Sequence, residues 1–312
     1  MSCVFMCTEL LWGARLLLMT SAPALTHDLK PDIDLPLGQV GPGAPLTIGL
    51  VSYLNTLPLI SGLEKIENVR LAPTVPAEQV GLLETGQVDL ALCSVVDLVR
   101  SPVPLCVVPV GMLGCQGPTL TVRLFSRRPL EQLRTVYCDS DSHTSVRLIR
   151  VLFRELHGVE LETPVFNPRQ DFDVSQADAF LLIGDKVMNN TLPLEFQTHQ
   201  MDLGEAWFQL TGLPFVFATW MCRADLSDDQ AQRVQRAAVL LDRTRRRNAH
   251  RLNQLAVREG RRFKWDSASM ARVYLEELLR FEFTPQAEQA MTRFLEFSEG
   301  FSGSLPLFDW KR

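Results

Sequence analysis

A chain of 312 residues exceeds what one hydrophobic core usually organises, so two lobes are expected. The composition, 46% hydrophobic and 21% charged, is that of a soluble globular protein, and a net charge of -5 offers nothing to attract a nucleic-acid backbone. The seven cysteines, at positions 3, 7, 93, 106, 115, 138 and 222, form no C-x-x-C pair and have no nearby histidines at metal-ligand spacing; several sit in apolar runs, as reduced core thiols do.

The first 45 residues differ from the rest. The apolar stretch "ELLWGARLLLM" (9 to 19) is interrupted by Arg15, lacks a basic segment before it and is too short to span a bilayer. A Pro/Gly-rich stretch, "LKPDIDLPLGQVGPGAP" (29 to 45), follows and reads as a linker or poorly ordered leader. A signal peptide ending near "SAPALT" and an extended start are both open readings, and the cytoplasm is the expected location.

From residue 46 onward short apolar runs alternate with longer amphipathic ones. Strands are expected at 47–52, 69–75, 88–93, 104–110, 119–125, 134–138, 179–183 and 214–222. Helices are expected at 56–65, 76–86, 143–156, 227–259, 267–280 and 284–299. This order predicts an α/β fold with parallel sheets covered by helices, in which ligands lie outside the carboxyl ends of the strands.

Several strand ends carry the same kind of group. "IGLVSYLN" (48 to 55) ends in Ser52 and Asn55, with Pro58 placed to start the next helix, and "VDLALCSVVD" (88 to 97) passes through Ser94. "TVYCDSDSHTSVRLIRVL" (135 to 152) runs from a strand through Ser142, His143, Thr144 and Ser145 into a helix. Asp141 or Ser142 can cap that helix, and its first-turn amides, aided by the helix dipole, suit a carboxylate or phosphate. One such turn is what any α/β protein needs as a cap; three at successive strand ends favour a small anionic ligand. Asp97 and Asp185 read as caps or hinge contacts, and the basic stretch 242–251 as a solvated helix face. No G-x-G-x-x-G, Walker A, H-E-x-x-H or G-x-S-x-G motif is present, so cofactor and metal chemistry have no sequence support.

Five blocks, "IGLVSYLNTLPLISGL" (48 to 63), "GQVDLALCSVVDLVRS" (86 to 101), residues 117–152, "ADAFLLIGDKV" (177 to 187) and "DLGEAWFQLTGLPFVFATW" (202 to 220), resemble in order and spacing the chorismate dehydratase family. That family opens the futalosine route to menaquinone. The resemblance implies a two-lobed fold related to type II periplasmic binding proteins, with the ligand in a cleft between two α/β lobes joined by two crossing strands. Lobe one would comprise 46–120 and 218–312, and lobe two 121–217, with crossings near 119–126 and 213–221.

The implied reaction is loss of water from chorismate, a substrate that needs no cofactor for this step, to give 3-[(1-carboxyvinyl)oxy]benzoate. Ser142, Thr144 and Ser145 would hold one carboxylate, and Ser94 with nearby backbone the other or the hydroxyl. Ser52 and Asn55 would face the reacting ring as catalytic residues, with Tyr53, Val95, Gly117, His143 and Asp185 as further substrate contacts. An amide is a poor base, so the proton acceptor is either the substrate's own enolpyruvyl carboxylate or His143. The resemblance implies arginine in many relatives where this chain has His143, which favours the substrate's own carboxylate as acceptor and leaves open whether His143 substitutes for arginine as an anion contact. Of the aromatics Trp207, Phe215, Phe217 and Trp220, most should pack the core and one could wall the ring. A non-catalytic carboxylate-binding protein and the sister enzyme dihydroxynaphthoate synthase are the competing readings, "SYLN" (52 to 55) favouring the dehydratase over the latter. The sequence gives no reading of oligomeric state.

Overall fold

The computed structural model describes residues 45–168 and 173–311; the leader expected over 1–45 lies outside them apart from Pro45. The strands are β1 (Leu46–Val51), β2 (Val69–Thr74), β3 (Leu90–Ser94), β4 (Leu105–Cys115), β5 (Val122–Ser126), β6 (Tyr137–Asp139), β7 (Val165–Phe166), β8 (Ala179–Ile183), β9 (His199–Asp202), β10 (Phe215–Arg223) and β11 (Leu279–Arg280). The helices used below are α1 (Leu57–Ile60), α2 (Gln79–Glu84), α3 (Asp97–Arg100), α4 (Thr144–His157), α5 (Leu203–Thr211), α6 (Asp228–Ala249), α7 (Leu252–Glu259), α8 (Ala268–Val273) and α9 (Pro285–Glu299).

Two sheets result. The first has six strands in the order β11-β4-β10-β3-β1-β2, and the second five in the order β7-β6-β8-β5-β9. Strand β1 pairs in parallel with β2 and β3, and β6 pairs in parallel with β7 and β8. Strand β10 runs antiparallel between β3 and β4, and β5 antiparallel between β8 and β9. The carboxyl ends of β1, β3, β6 and β8 are therefore where loops can build a ligand site.

Strand β3 shows why the chain folds this way. All five of its residues are buried, and successive side chains point to opposite faces. Leu90 and Leu92 pack with Ile48, Leu50, Trp220 and Leu241 beneath α6. Ala91 and Cys93 join a core that continues into the second sheet through Leu124, Cys138, Leu148, Leu181 and Trp207. A near-continuous apolar run is what a strand covered on both faces requires. The five cysteines among the described residues are free thiols, four of them buried.

The chain leaves the first sheet after Cys115 and enters the second at Val122. Asp202 pins this passage: its carboxylate accepts the Thr119 and Leu120 amides at 3.0 and 2.7 Å and also caps α5 through the Gly204 and Glu205 amides. The return runs through α5 into β10.

Three expected helices differ. The 227–259 segment breaks at His250 and Arg251, where Asn248 donates to the Ser61 carbonyl at 3.0 Å and the chain redirects into α7. The 267–280 segment leaves α8 for a π-helical turn, Tyr274–Leu278, and then pairs with β4 as β11. The 56–65 segment holds only one α-helical turn, α1, flanked by 3-10 turns. Strands β7, β9 and β11 and helices α3 and α5 were not among the expected elements. Among the described residues no helix is long and apolar enough to cross a membrane.

Candidate active site at the lobe junction

The turn after β1 sends consecutive residues to different elements. The exposed Ser52 makes no hydrogen bond among the described residues. Tyr53 donates its hydroxyl to Asp141 Oδ2 at 3.0 Å, and the Leu54 amide donates to Asp185 Oδ2 at 3.1 Å. Asn55 Nδ2 donates to the Tyr274 hydroxyl at 3.2 Å, which lies 2.6 Å from Thr121 Oγ1. This turn from the first sheet is thus tied to the ends of β6 and β8 in the second. The close approach needs a glycine: Gly184 has φ +66°, and a Cβ there would stand 2.9 Å from the Tyr53 ring.

Asp185 follows that glycine. Its Oδ1 accepts the Trp265 indole N–H at 2.7 Å, so both oxygens are engaged, one by the turn after β1 and one by Trp265. Burial pushes its carboxyl up to about 6, against the Trp265 and Leu54 bonds that hold it down. Lys186 turns the other way, its ammonium 2.6 Å from Asp139 and 2.7 Å from Asp141. Burial raises the Asp139 carboxyl too, opposed by Lys186. Asp185, expected as a cap or hinge contact and as a substrate contact, accepts bonds from the turn after β1 and from Trp265 and caps no α-helix.

At the start of α4 the N-cap is His143, which makes no side-chain cap bond, while the preceding Ser142 accepts the Ser145 amide on its Oγ at 3.1 Å. Asp141 Oδ2 is held by Tyr53 and Lys186. Helical geometry leaves the Thr144 and Val146 amides without intrahelical acceptors. Thr144 Oγ1 is buried without a hydrogen-bond partner among the described residues, and Ser145 is buried beside it. His143 reaches across to the first lobe, with Nδ1 2.8 Å from Asp97 Oδ1. Asp97 is 3% exposed, and its Oδ2 is buried without a hydrogen-bond partner among the described residues. Burial raises the Asp97 carboxyl, opposed by the hydrogen bond and charge of His143 and by Arg100. Asp97 caps no helix; it too bridges the lobes.

The remaining expected residues divide. Ser94 is buried at the end of β3. Val95 is buried, and its amide already donates to the Phe217 carbonyl at 3.2 Å, so it can serve a ligand only by giving up that bond. Gly117 has φ +102° at the start of the passage between sheets, where only glycine is unstrained. Trp207, Phe215 and Trp220 are buried in the core, and Phe217 packs half-buried against it. The aromatics that stand at the junction are instead Trp265 and Tyr274, stacked with centroids 4.8 Å apart. These two, with Thr121 and Lys186, escaped the sequence reading. Two open surface recesses, one beside Leu213 and Arg293 and one beside Arg134 and Glu162, are lined by none of these residues. No group of three or more His, Cys, Asp or Glu among the described residues is placed to hold a metal ion.

Residues 46–299 match the family described as "Menaquinone biosynthesis". The chorismate dehydratase of Thermus thermophilus is 31% identical over 234 residues, 70% of this chain and 83% of that protein. Among solved structures, the alkanesulfonate-binding protein SsuA from Xanthomonas axonopodis pv. citri, bound to MOPS, superposes with a TM-score of 0.55 at 14% identity, covering 86% of this chain and 97% of that one. A Candida albicans protein exhibiting the generic periplasmic binding protein structural fold gives 0.51 at 10% identity, covering 83% and 92%. The structural likenesses establish a periplasmic-binding-protein-like fold and no more. On the sequence matches, the chain belongs to the chorismate dehydratase family of menaquinone biosynthesis.

Proposed function

We propose that the protein is a chorismate dehydratase that acts at the lobe junction and yields 3-[(1-carboxyvinyl)oxy]benzoate, the first step of the futalosine route. The observation that carries this reading is the 31% identity to a protein of that name over most of both chains. The same reading takes 46–120 with 218–312 as one lobe and 121–217 as the other, and places the enzyme in the cytoplasm.

The chemistry is an elimination. The ring C–H beside the enolpyruvyl ether loses its proton, the neighbouring C–O bond breaks, and aromatisation drives the step; no electrons are gained or lost overall, so no redox group is needed. Charge developing on the ring delocalises onto the ring carboxylate, where donors stabilise it. Thr144 Oγ1 and the first-turn amides of α4 are such donors, and the unpaired hydroxyl is the geometric support for placing a carboxylate there. Ser94 and Ser52 contact the substrate's other polar groups. Asn55, oriented by Tyr274, faces the ring. The enolpyruvyl carboxylate, close to the departing proton, is its acceptor.

Substrate enters by parting the lobes. The bonds Tyr53–Asp141, Leu54–Asp185 and His143–Asp97 all join residues of opposite sheets, so a hinge opening breaks them together and closure restores them around the ligand. Incubating the purified protein with chorismate, without added cofactor, tests the assignment: an aromatic enol ether should accumulate by ultraviolet absorbance and mass. Binding without turnover would instead make the protein a carboxylate receptor.

A further inference from the structure

The elimination leaves one group without a partner. A hydroxyl that departs with the C–O electron pair is a poor leaving group unless a proton meets it, and the junction holds one imidazole set up for such a transfer. His143 stands immediately before Thr144 and two residues after Asp141, to which Tyr53 of the first lobe is bonded. Asp97 stands three residues after Ser94. The dyad therefore lies among the residues assigned to substrate.

Its geometry is that of an oriented proton carrier. Asp97 Oδ1, 2.8 Å from Nδ1, keeps a proton on that nitrogen and fixes the ring plane. Nε2 makes no hydrogen bond among the described residues, and the imidazole is 36% exposed while the carboxylate is 4% exposed. The second carboxylate oxygen is buried and unpaired, an arrangement that costs stability and is not what a purely structural bridge needs.

We propose that Asp97 and His143 form a proton-donating dyad assembled across the two lobes: Nε2–H of the His143 imidazolium protonates the departing hydroxyl, and Asp97 is the positioning residue that holds the ring. The proposal rests on the dehydratase reading. The C–O bond breaks with its electron pair on oxygen, the N–H pair returns to Nε2, and water forms. The C–H pair enters the aromatic ring, and its proton goes to the enolpyruvyl carboxylate. Solvent then reprotonates the imidazole and takes up the second proton. Because the partners come from opposite lobes, the donor is complete only once the lobes have closed on the substrate.

The test uses the full chain with chorismate. His143→Gln, at a half-exposed position, should lower kcat about 100-fold with KM changed by no more than about threefold. Asp97→Asn should lower kcat about tenfold and should add nothing in the His143→Gln background, since it acts through the ring. Long-range proton–nitrogen NMR should show the His143 ring protonated at Nδ1 in the wild type and altered in Asp97→Asn. A His143→Gln enzyme with kcat near wild type, a loss confined to KM, or additive losses in the double variant would overturn the dyad while leaving the dehydratase standing. A wild-type protein that does not turn chorismate over would overturn both.

Discussion

Asp185, half-buried, and Asp97, buried, are carboxylates at the same junction, one following a strand of each sheet, and the fold treats them in opposite ways. Asp185 has both oxygens engaged by N–H donors from the facing lobe, Leu54 and Trp265. Asp97 has one oxygen on His143 and the other buried without a partner. For both, burial raises the carboxyl, so each ionised form is held at a cost to stability. On the proposed function, the difference is one between residues that hold the turn and residues that meet the substrate. On the Asp185 side the fold completes its own hydrogen bonding and fixes the turn that carries Ser52 and Asn55. On the Asp97 side, and at Thr144, polar atoms are left for something else to satisfy.

The largest effect should come from the turn itself. Asn55→Ala is expected to lower kcat about 100-fold, read by product absorbance, with circular dichroism unchanged; near-normal turnover would return Asn55 to a structural role beside Tyr274.

Removing the charge that fixes this turn should cost less. Asp185→Asn presents an amide N–H where an N–H donor needs an acceptor, and a loss of about tenfold in kcat is expected. Protonating Asp185 in the wild type has the same sense, so kcat should fall as pH drops through about 6, and the variant should lack that limb. Stability runs the other way. A carboxyl raised from 3.8 to about 6 on folding contributes most below the lower value and loses that contribution as pH rises through the upper one. The variant's stability relative to wild type should therefore improve by roughly 1–2 kcal/mol between pH 5 and 7.5 in denaturant titrations. A pH-independent difference would contradict the buried, ionised carboxylate.

Thr144 sharpens the other half of the comparison. Thr144→Val should raise KM about tenfold with little change in kcat, because it removes a donor to a substrate carboxylate. Since that hydroxyl is unpaired in the folded chain, the same change should leave the ligand-free protein as stable or more stable by up to about 1 kcal/mol. A clear loss of stability would mean the hydroxyl has a structural partner. The smallest effect is expected of Tyr53→Phe, which forfeits one interlobe bond to a carboxylate that Lys186 also holds: KM should rise about threefold, and a tenfold rise would make this bond the principal clasp.

The parts of this site that could be read in the sequence are those set by local pattern. The passage from apolar runs into Ser52, into Ser94 and, after Asp139, into the turn that carries Ser142 marked strand ends, because a buried strand must become polar where it leaves the sheet. Helix α5 was legible in principle from Asp202 and Glu205, the spacing of an N-terminal cap. Tyr274 was not: it lies 219 residues from Asn55, in an amphipathic stretch that reads as uninterrupted helix, and only the π-helical turn and β11 pairing reveal its place. Trp265 was hidden for the same reason, since its partner Asp185 follows a strand of the other sheet, and Lys186 because only the pairing of β6 with β8 brings Asp139 and Asp141 to it. The doubly satisfied Asp185 and half-satisfied Asp97 look alike in sequence; burial and partner count distinguish them.

A crystal structure with 3-[(1-carboxyvinyl)oxy]benzoate bound tests the central claim, that the unsatisfied half of the junction receives the substrate. The account predicts a ligand carboxylate on Thr144 Oγ1 and the first amides of α4, with the aromatic ring against Asn55. A ligand seated in a surface recess, with Thr144 and Asp97 still unpaired, would contradict it.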